Sequence, residues 1–297
     1  MTKINQFLTE SGITDDQIPY IKLYGVEYFS TAAVFDCGQA FRFLPVENSA
    51  HECEYCGIAF GKYISVAQDG DTLTLYGVNE DDLKKIWISY LGLDFDIGVA
   101  RSDILSRSDN PALREAVEYG KGIRILRQEK WETLCSFIIS QNNNIPRIRG
   151  LIGTLSKALG EKIELKNGEF YSFPSAEAIV AAGVDALREM KFGFRAPYIY
   201  DAATKVASGE IDLEAVAMAE TTEEAAQMLM KIKGVGPKVA ACTLLFGFDR
   251  TDAFPVDVWV KRVIEKYFPA PFNAASLGAY AGLAQQYLFY YERYLQS

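Results

Sequence analysis

The stretch "KIKGVGPKVAAC", residues 231–242, decides how the second half of this chain is read. Before it, "TTEEAAQMLMKI" repeats apolar residues at helical spacing. "KGVG" cannot continue that helix cheaply, because two glycines each forfeit backbone entropy. Pro237 suits the first turn of a new helix, "KVAACTLLFGF", where a missing N–H leaves no bond unmade. The pattern is a helix-hairpin-helix. Backbone N–H groups of Gly234, Val235 and Gly236 fall at a helix amino terminus, where a phosphate can be held without a side chain in the way. From the turn alone, a plain glycine link between two core helices reads equally well.

Lys238 bears on that choice. A cation in the first turn of a helix is set against the helix dipole, which favours anions there. A positive helix end also lowers the cost of losing the amine proton, and a neutral amine is a nucleophile able to form a Schiff base with a sugar carbon. The alternative is an exposed lysine with a solvated head. Downstream, "DAFPVDVWVKRVIEKYF" places Asp257 after Pro255 and directly before an apolar-periodic helix. Asp257 reads as a helix N-cap; a capping carboxylate stays ionised and can face a developing positive charge.

The 297 residues, about half of them apolar, can bury a sizeable core and divide into two domains. No apolar run approaches the roughly 18 residues of a membrane span, and "MTKINQFLTE" lacks the charged-then-apolar pattern of a signal peptide, so a cytoplasmic protein with no membrane partner is expected. The five cysteines are odd in number and scattered, as suits free thiols in a reducing compartment. His51, Cys53 and Cys56 spell H-x-C-x-x-C, but tetrahedral zinc wants a fourth ligand and His51 is the only histidine; no metal and no cofactor are expected. The net charge of −9 resides in residues 1–100, with 15 Asp/Glu and 6 Lys/Arg. Residues 101–297 hold 24 of each, so a polyanion would be met there through local patches.

Along the chain, "YISVAQDGDTLTLYGV" alternates about a Gln-Asp-Gly-Asp turn and reads as a hairpin. Asn79 caps "EDDLKKIWISYL", whose first turn is acidic. From about residue 110 successive amphipathic helices follow with short breaks, and this portion reads as essentially all helix. The expected fold is α+β: an N-terminal antiparallel β-sheet domain with flanking helices over 1–105, then an all-helical helix-hairpin-helix domain over 106–297.

"KGVGPKVAAC" with "FPVD", Lys238 and Asp257 lying 19 positions apart, resembles the helix-hairpin-helix base-excision DNA glycosylases. "CGQAFRF", "SFIISQNNNIPRIRG", "FGFRAPY" and "YAGLAQQYLF", in that order, resemble one branch, the 8-oxoguanine DNA glycosylases. Each motif is short; their ordered combination is specific. The resemblance implies a base-excision enzyme acting on double-stranded DNA containing an oxidised purine, flipping 8-oxoguanine opposite cytosine out of the stack. It implies Lys238 as nucleophile, Asp257 as electrostatic stabiliser, and strand cleavage by β-elimination through a lysine imine. The damaged base would be read by the Gly38 carbonyl and by Gln285, sandwiched between Cys242 and Phe289, with Pro255 in the same pocket. Asn142, Arg147 and Arg195 would address the gap and the orphaned cytosine, with Phe194 as wedge where the family commonly has tyrosine. Trp259 departs from the family, standing where a member may carry a phosphate-bonding histidine. A monomer, nucleoid-associated in a prokaryote, is implied. Competing readings are a relative excising alkylated or other oxidised bases with water as nucleophile, a noncatalytic DNA-binding module, and a helical interaction scaffold; Lys238 with Asp257 argues against them.

Overall fold

The computed structural model describes residues 2–4, 6–165 and 168–295. They form two units. The first comprises Met1–Ile58, Tyr63–Arg127 and Val258–Ser297, the second Ala59–Lys62 and Gln128–Asp257.

The first unit is built on an antiparallel seven-stranded sheet in the order β1-β2-β3-β7-β6-β5-β4: β1 (Thr2–Ile4), β2 (Phe7–Ile13), β3 (Pro19–Tyr24), β4 (Phe43–Pro45), β5 (Cys53–Ala59), β6 (Lys62–Asp69) and β7 (Thr72–Tyr76). β6 and β7 are the hairpin that the alternating pattern predicts, Asp69 opposite Thr72 with Gly70 in the left-handed region at the tip (φ 59°). Register carries the core across the strands: Ile21 faces Leu75, and Leu75 faces Val66, all fully buried. Helix α1 (Thr31–Asp36) adds Phe35, stacked on Phe43 with centroids 4.2 Å apart. Asn79 caps the following helical segment, its side chain accepting from the Asp82 N–H at 2.9 Å. Cys53 and Cys56 are three apart on β5, so their side chains leave opposite faces of the sheet.

Beyond α2 (Ile97–Arg107) and α3 (Pro111–Tyr119), one buried cation ties the loops of this unit together. The Arg124 guanidinium donates to four carbonyls: Tyr28 (3.1 Å), Glu27 (2.9 Å), Gly92 (2.7 Å) and Phe95 (3.1 Å). Burial pulls its pKa down to about 10, so it remains charged at neutral pH. Gln39, 1% exposed, works the same way through an amide, donating to Val34 and Arg124 carbonyls and accepting from the Leu126 N–H.

The second unit holds α4 (Lys130–Ser140), α5 (Ile145–Leu159), α6 (Ala176–Glu189), α7 (Ala196–Ala207), α8 (Thr222–Leu229) and α9 (Pro237–Gly247). α4 is buried from Thr133 to Ile139, and in α9 Val239, Ala240 and Cys242–Gly247 are buried. Phe137 stacks on Phe246 at 5.3 Å, and a Cβ on Gly247 would meet Thr133 Cβ at 3.1 Å, so the two helices touch nearly backbone to side chain. This unit is not wholly helical: β8 (Lys162–Leu165) and β9 (Gly168–Tyr171) pair antiparallel. The Asn-Gly pair at 167–168 in "KIELKNGEFY" is the hairpin signal.

The chain then returns to the first unit through α10 (Val258–Tyr267) and α11 (Ala281–Leu295). The division therefore differs from the sequential one at 105/106. α11 packs on α3, with Tyr287 fully buried and Gly120 leaving no room for a Cβ beside its ring (2.7 Å). Tyr294 adds hydrogen bonds to Asp36, so the end of the sequence completes the core begun by its first third. No helix among the described residues is long and apolar enough to cross a membrane.

Arg124→Lys keeps the charge but presents a point donor with three N–H groups instead of a planar fork, orphaning at least one of the four carbonyls. Urea denaturation is expected to show a loss of about 3 kcal/mol.

Candidate active site

α9 is apolar almost all round, so its flanks must be buried and its amino-terminal turn is where polar chemistry meets solvent. Lys238 is the second residue of that turn, after Pro237, and is half-buried. Its Nζ lies 3.4 Å from Ser140 Oγ, to which it donates, and 5.3 Å from the centroid of the Phe137 ring on α4. One turn on, Cys242 is 4% exposed. Burial pushes its thiol pKa up; the Lys238 ammonium pulls it back, and Asp257 pushes it further up. Amine and carboxylate thus both act on this sulfur. Asp257 is half-buried, follows the buried Pro255 and immediately precedes α10.

In the hairpin before α9, Gly234 adopts φ 79°, and a Cβ there would sit 2.3 Å from the Tyr198 ring. Only glycine meets both demands. Gly236 has extended φ/ψ and its carbonyl accepts from Ala240, opening the helix. The N–H groups of Gly234 and Gly236 have no partner among the described residues. The N–H of Val235 donates to the Ile232 carbonyl at 3.1 Å, so the sequence-based placement of Val235 among the phosphate donors is corrected. Its side chain, 5% exposed, anchors the turn instead.

The asparagine run separates by role. Asn144 caps α5, accepting from the Arg147 N–H at 3.0 Å, and Asn143 donates to the Ile139 carbonyl at 3.1 Å. The Asn142 side chain is exposed and has no partner among the described residues. Its backbone is held in the left-handed region (φ 46°) by Arg195, which is 3% exposed and donates through Nη2 to the Asn142 carbonyl at 2.8 Å and through Nε to the Gln141 carbonyl at 2.9 Å. Nε and Nη2 are thereby engaged, and Nη1 has no partner among the described residues. Burial, then the neighbouring Arg147 cation, lowers the Arg195 pKa, so two positive charges stand close together. Phe192 and Arg195, both buried, hold the short turn Gly193–Arg195 from within, and Phe194 between them is 49% exposed. The Arg195 guanidinium lies 4.4 Å from the Phe194 ring centroid, and Tyr198, whose ring packs on Gly234, meets Phe194 edge-on at 6.1 Å.

The first unit carries the remaining candidates. Gly38 is half-buried at φ 82°, between Cys37 and the stapled Gln39, and its carbonyl has no partner among the described residues. Gln39 is a positioning group that the motif alone did not reveal; a polar side chain beside a glycine at a buried turn was the available signal. Gln285, 3% exposed on α11, accepts from Gln286 Nε2 at 3.2 Å, and Phe289 is half-buried with the Arg293 guanidinium 5.9 Å from its ring. Trp259 on α10 lies beneath Arg262, whose guanidinium is 5.2 Å from the ring centroid.

A family model described as the 8-oxoguanine DNA glycosylase N-terminal domain matches residues 23–134, and one for HhH-GPD superfamily base excision DNA repair proteins matches residues 135–275. The N-glycosylase/DNA lyase of Saccharomyces cerevisiae is 32% identical over 262 residues, covering 82% of this chain and 69% of the relative. Arabidopsis thaliana N-glycosylase/DNA lyase OGG1 is 31% identical over 281 residues, covering 86% and 75%. The Clostridium acetobutylicum 8-oxoguanine glycosylase/lyase, solved with double-stranded DNA containing cytosine opposite to 8-oxoG, superposes with a TM-score of 0.88 at 37% identity, covering 98% of this chain and 99% of that one. A 3-methyladenine DNA glycosylase from Archaeoglobus fulgidus shares the fold at a TM-score of 0.72 and 20% identity, with 92% and 98% covered.

Two stability comparisons follow from this geometry. Gly234→Ala meets both the left-handed backbone and the Tyr198 ring and should cost about 2–4 kcal/mol in thermal or urea unfolding. Asn144→Ala should cost about 1 kcal/mol through the lost cap, whereas Asn142→Gly, which removes the side chain but suits the left-handed backbone, should leave Tm nearly unchanged.

Proposed function

The chain belongs to the 8-oxoguanine DNA glycosylase family of helix-hairpin-helix base-excision proteins, and from that premise we propose that the Lys238 amine performs its chemistry. It is a bifunctional DNA N-glycosylase and abasic-site lyase for 8-oxoguanine. The observation that carries the assignment of Lys238 is its place in the first turn of α9, half-buried with Nζ against Ser140 Oγ and the Phe137 ring and one helical turn before the buried Cys242.

The glycosidic bond is inaccessible in the stack, so the damaged nucleotide leaves it first. The Nζ lone pair forms a bond to C1′ as the C1′–N9 bond breaks, the electron pair departing with the base, which gains the proton released by the amine. Positive charge develops on the sugar in between, and the Asp257 carboxylate stabilises it. The resulting aminal opens: C1′–O4′ breaks, O4′ takes the remaining N–H proton, and a lysine imine remains. Loss of a C2′ proton and of the 3′ phosphate with the C3′–O electron pair cleaves the strand.

Recognition follows from donor and acceptor placement. Guanine N7 accepts, whereas N7 of 8-oxoguanine carries a hydrogen and donates; the unpartnered Gly38 carbonyl is complementary only to the second. Gln285 Nε2 and Oε1 address the Watson–Crick edge; Phe289 in the first unit, and Cys242 and Pro255 in the second, each offer the base an apolar face. Opposite the lesion, Asn142 fills the gap, and Arg147 with Nη1 of Arg195 donates to the O2 and N3 acceptors of cytosine. Phe194 inserts as a wedge; it needs no hydroxyl for that. Gly234 and Gly236 hold a phosphate, and Arg262 over Trp259 brings charge where the indole offers a single donor. One chain supplies every group, which fits a monomer working on chromosomal DNA in the cytoplasm.

With a duplex containing one 8-oxoguanine opposite cytosine, borohydride should trap native protein covalently, and Lys238→Gln should trap none; a trapped variant would move the nucleophile elsewhere. Asp257→Asn should slow base release by about a hundredfold or more under single turnover. Arg147→Ala should lower preference for cytosine over adenine opposite the lesion by about tenfold, measured as a ratio of single-turnover rates.

A further inference from the structure

Lysine reaches its target on four rotatable bonds, and a nucleophile so mounted is effective only if something restricts it. Two groups on α4 lie against Nζ: the Phe137 ring, and Ser140 Oγ at the carboxy-terminal end of the helix. Ser140 is the one whose hydrogen-bond polarity is already settled. Its hydroxyl proton is given to the Phe137 carbonyl three residues back, at 2.8 Å, so towards Lys238 the oxygen offers only lone pairs.

That polarity matters for an amine. A neutral amine has two N–H groups and one lone pair. A hydroxyl free to donate would bond to the lone pair and quench the nucleophile; a hydroxyl able only to accept takes an N–H and turns the lone pair away from itself. We propose that Ser140 is a positioning residue that holds an N–H of Lys238 and leaves the amine lone pair directed at the sugar. The inference rests on Lys238 being the nucleophile. The Ser140–Phe137 bond is the internal device that fixes the direction, and α4 carries both residues, so the ring beneath the amine and the oxygen beside it move together.

The consequences separate chemistry from binding. Ser140→Ala removes the acceptor, Ser140→Cys substitutes a poor one, and Ser140→Thr retains a hydroxyl able to make the same back-bond. Full-length native protein and the three variants are compared by single-turnover borohydride trapping on the 8-oxoguanine duplex, alongside DNA dissociation constants and Tm. Alanine and cysteine variants should form the imine at least about tenfold more slowly, with dissociation constants within twofold of native, while threonine restores the native rate. Equal trapping rates for native and alanine proteins would overturn the proposal, as would threonine failing to rescue at native Tm. Absence of trapping by the native protein would instead remove the assignment of Lys238 itself.

Discussion

Everything polar in the second unit depends on the packing of α4 against α9. Two helices apolar on nearly every face have to be buried, and their contact is closed by the Phe137–Phe246 stack and by Gly247 against Thr133. That burial sets the direction in which each helix leaves the core. α9 begins at its solvent-facing end with a lysine, α4 ends there with a serine and the loop that carries Asn142. The same hydrophobic contact therefore brings the amine, its hydrogen-bond acceptor and the exposed asparagine to one edge without any long-range electrostatic force.

In each unit, buried cations organise backbone more than they neutralise acids. Arg195 spends two of its nitrogens on the carbonyls of Gln141 and Asn142, and Arg124 spends its donors on four carbonyls in the first unit. Carbonyl oxygens are half-strength partners for a guanidinium, so the charge is only partly offset, and in Arg195 it is further raised in energy by Arg147. Residues 101–297 carry as many Lys and Arg as Asp and Glu, so local patches there can meet a polyanion even on a chain whose total charge is −9. Net charge is a poor guide here because the acidic excess belongs to the first hundred residues.

Much of this was legible in the residues. The glycine pair before Pro237, the hairpin about Gly70 and the cap at Asn79 are local, and local chemistry decides them. What the pattern did not convey is long-range. The return of α10 and α11 to the first unit depends on Tyr287 fitting beside Gly120, a contact between positions far apart in sequence. The β8–β9 hairpin is marked only by Asn167-Gly168, a two-residue signal between long stretches of helical periodicity. The Val235 N–H was counted as a donor because its composition and place in the turn say nothing about a bond back to Ile232. Likewise no periodicity distinguishes three consecutive asparagines; only the hydrogen bonds do.

That distinction bears on how such a protein diversifies. Of the run Asn142–Asn143–Asn144, two side chains maintain the fold and one does not. A lineage that altered Asn143 or Asn144 would meet selection for foldability before any change in recognition was felt. One that altered Asn142 would vary what the loop presents while its backbone stayed clamped by Arg195. The loop thus contains a single adjustable position inside a fixed frame, open to residues that tolerate its left-handed backbone, and what it presents can change there without a compensating change in the core.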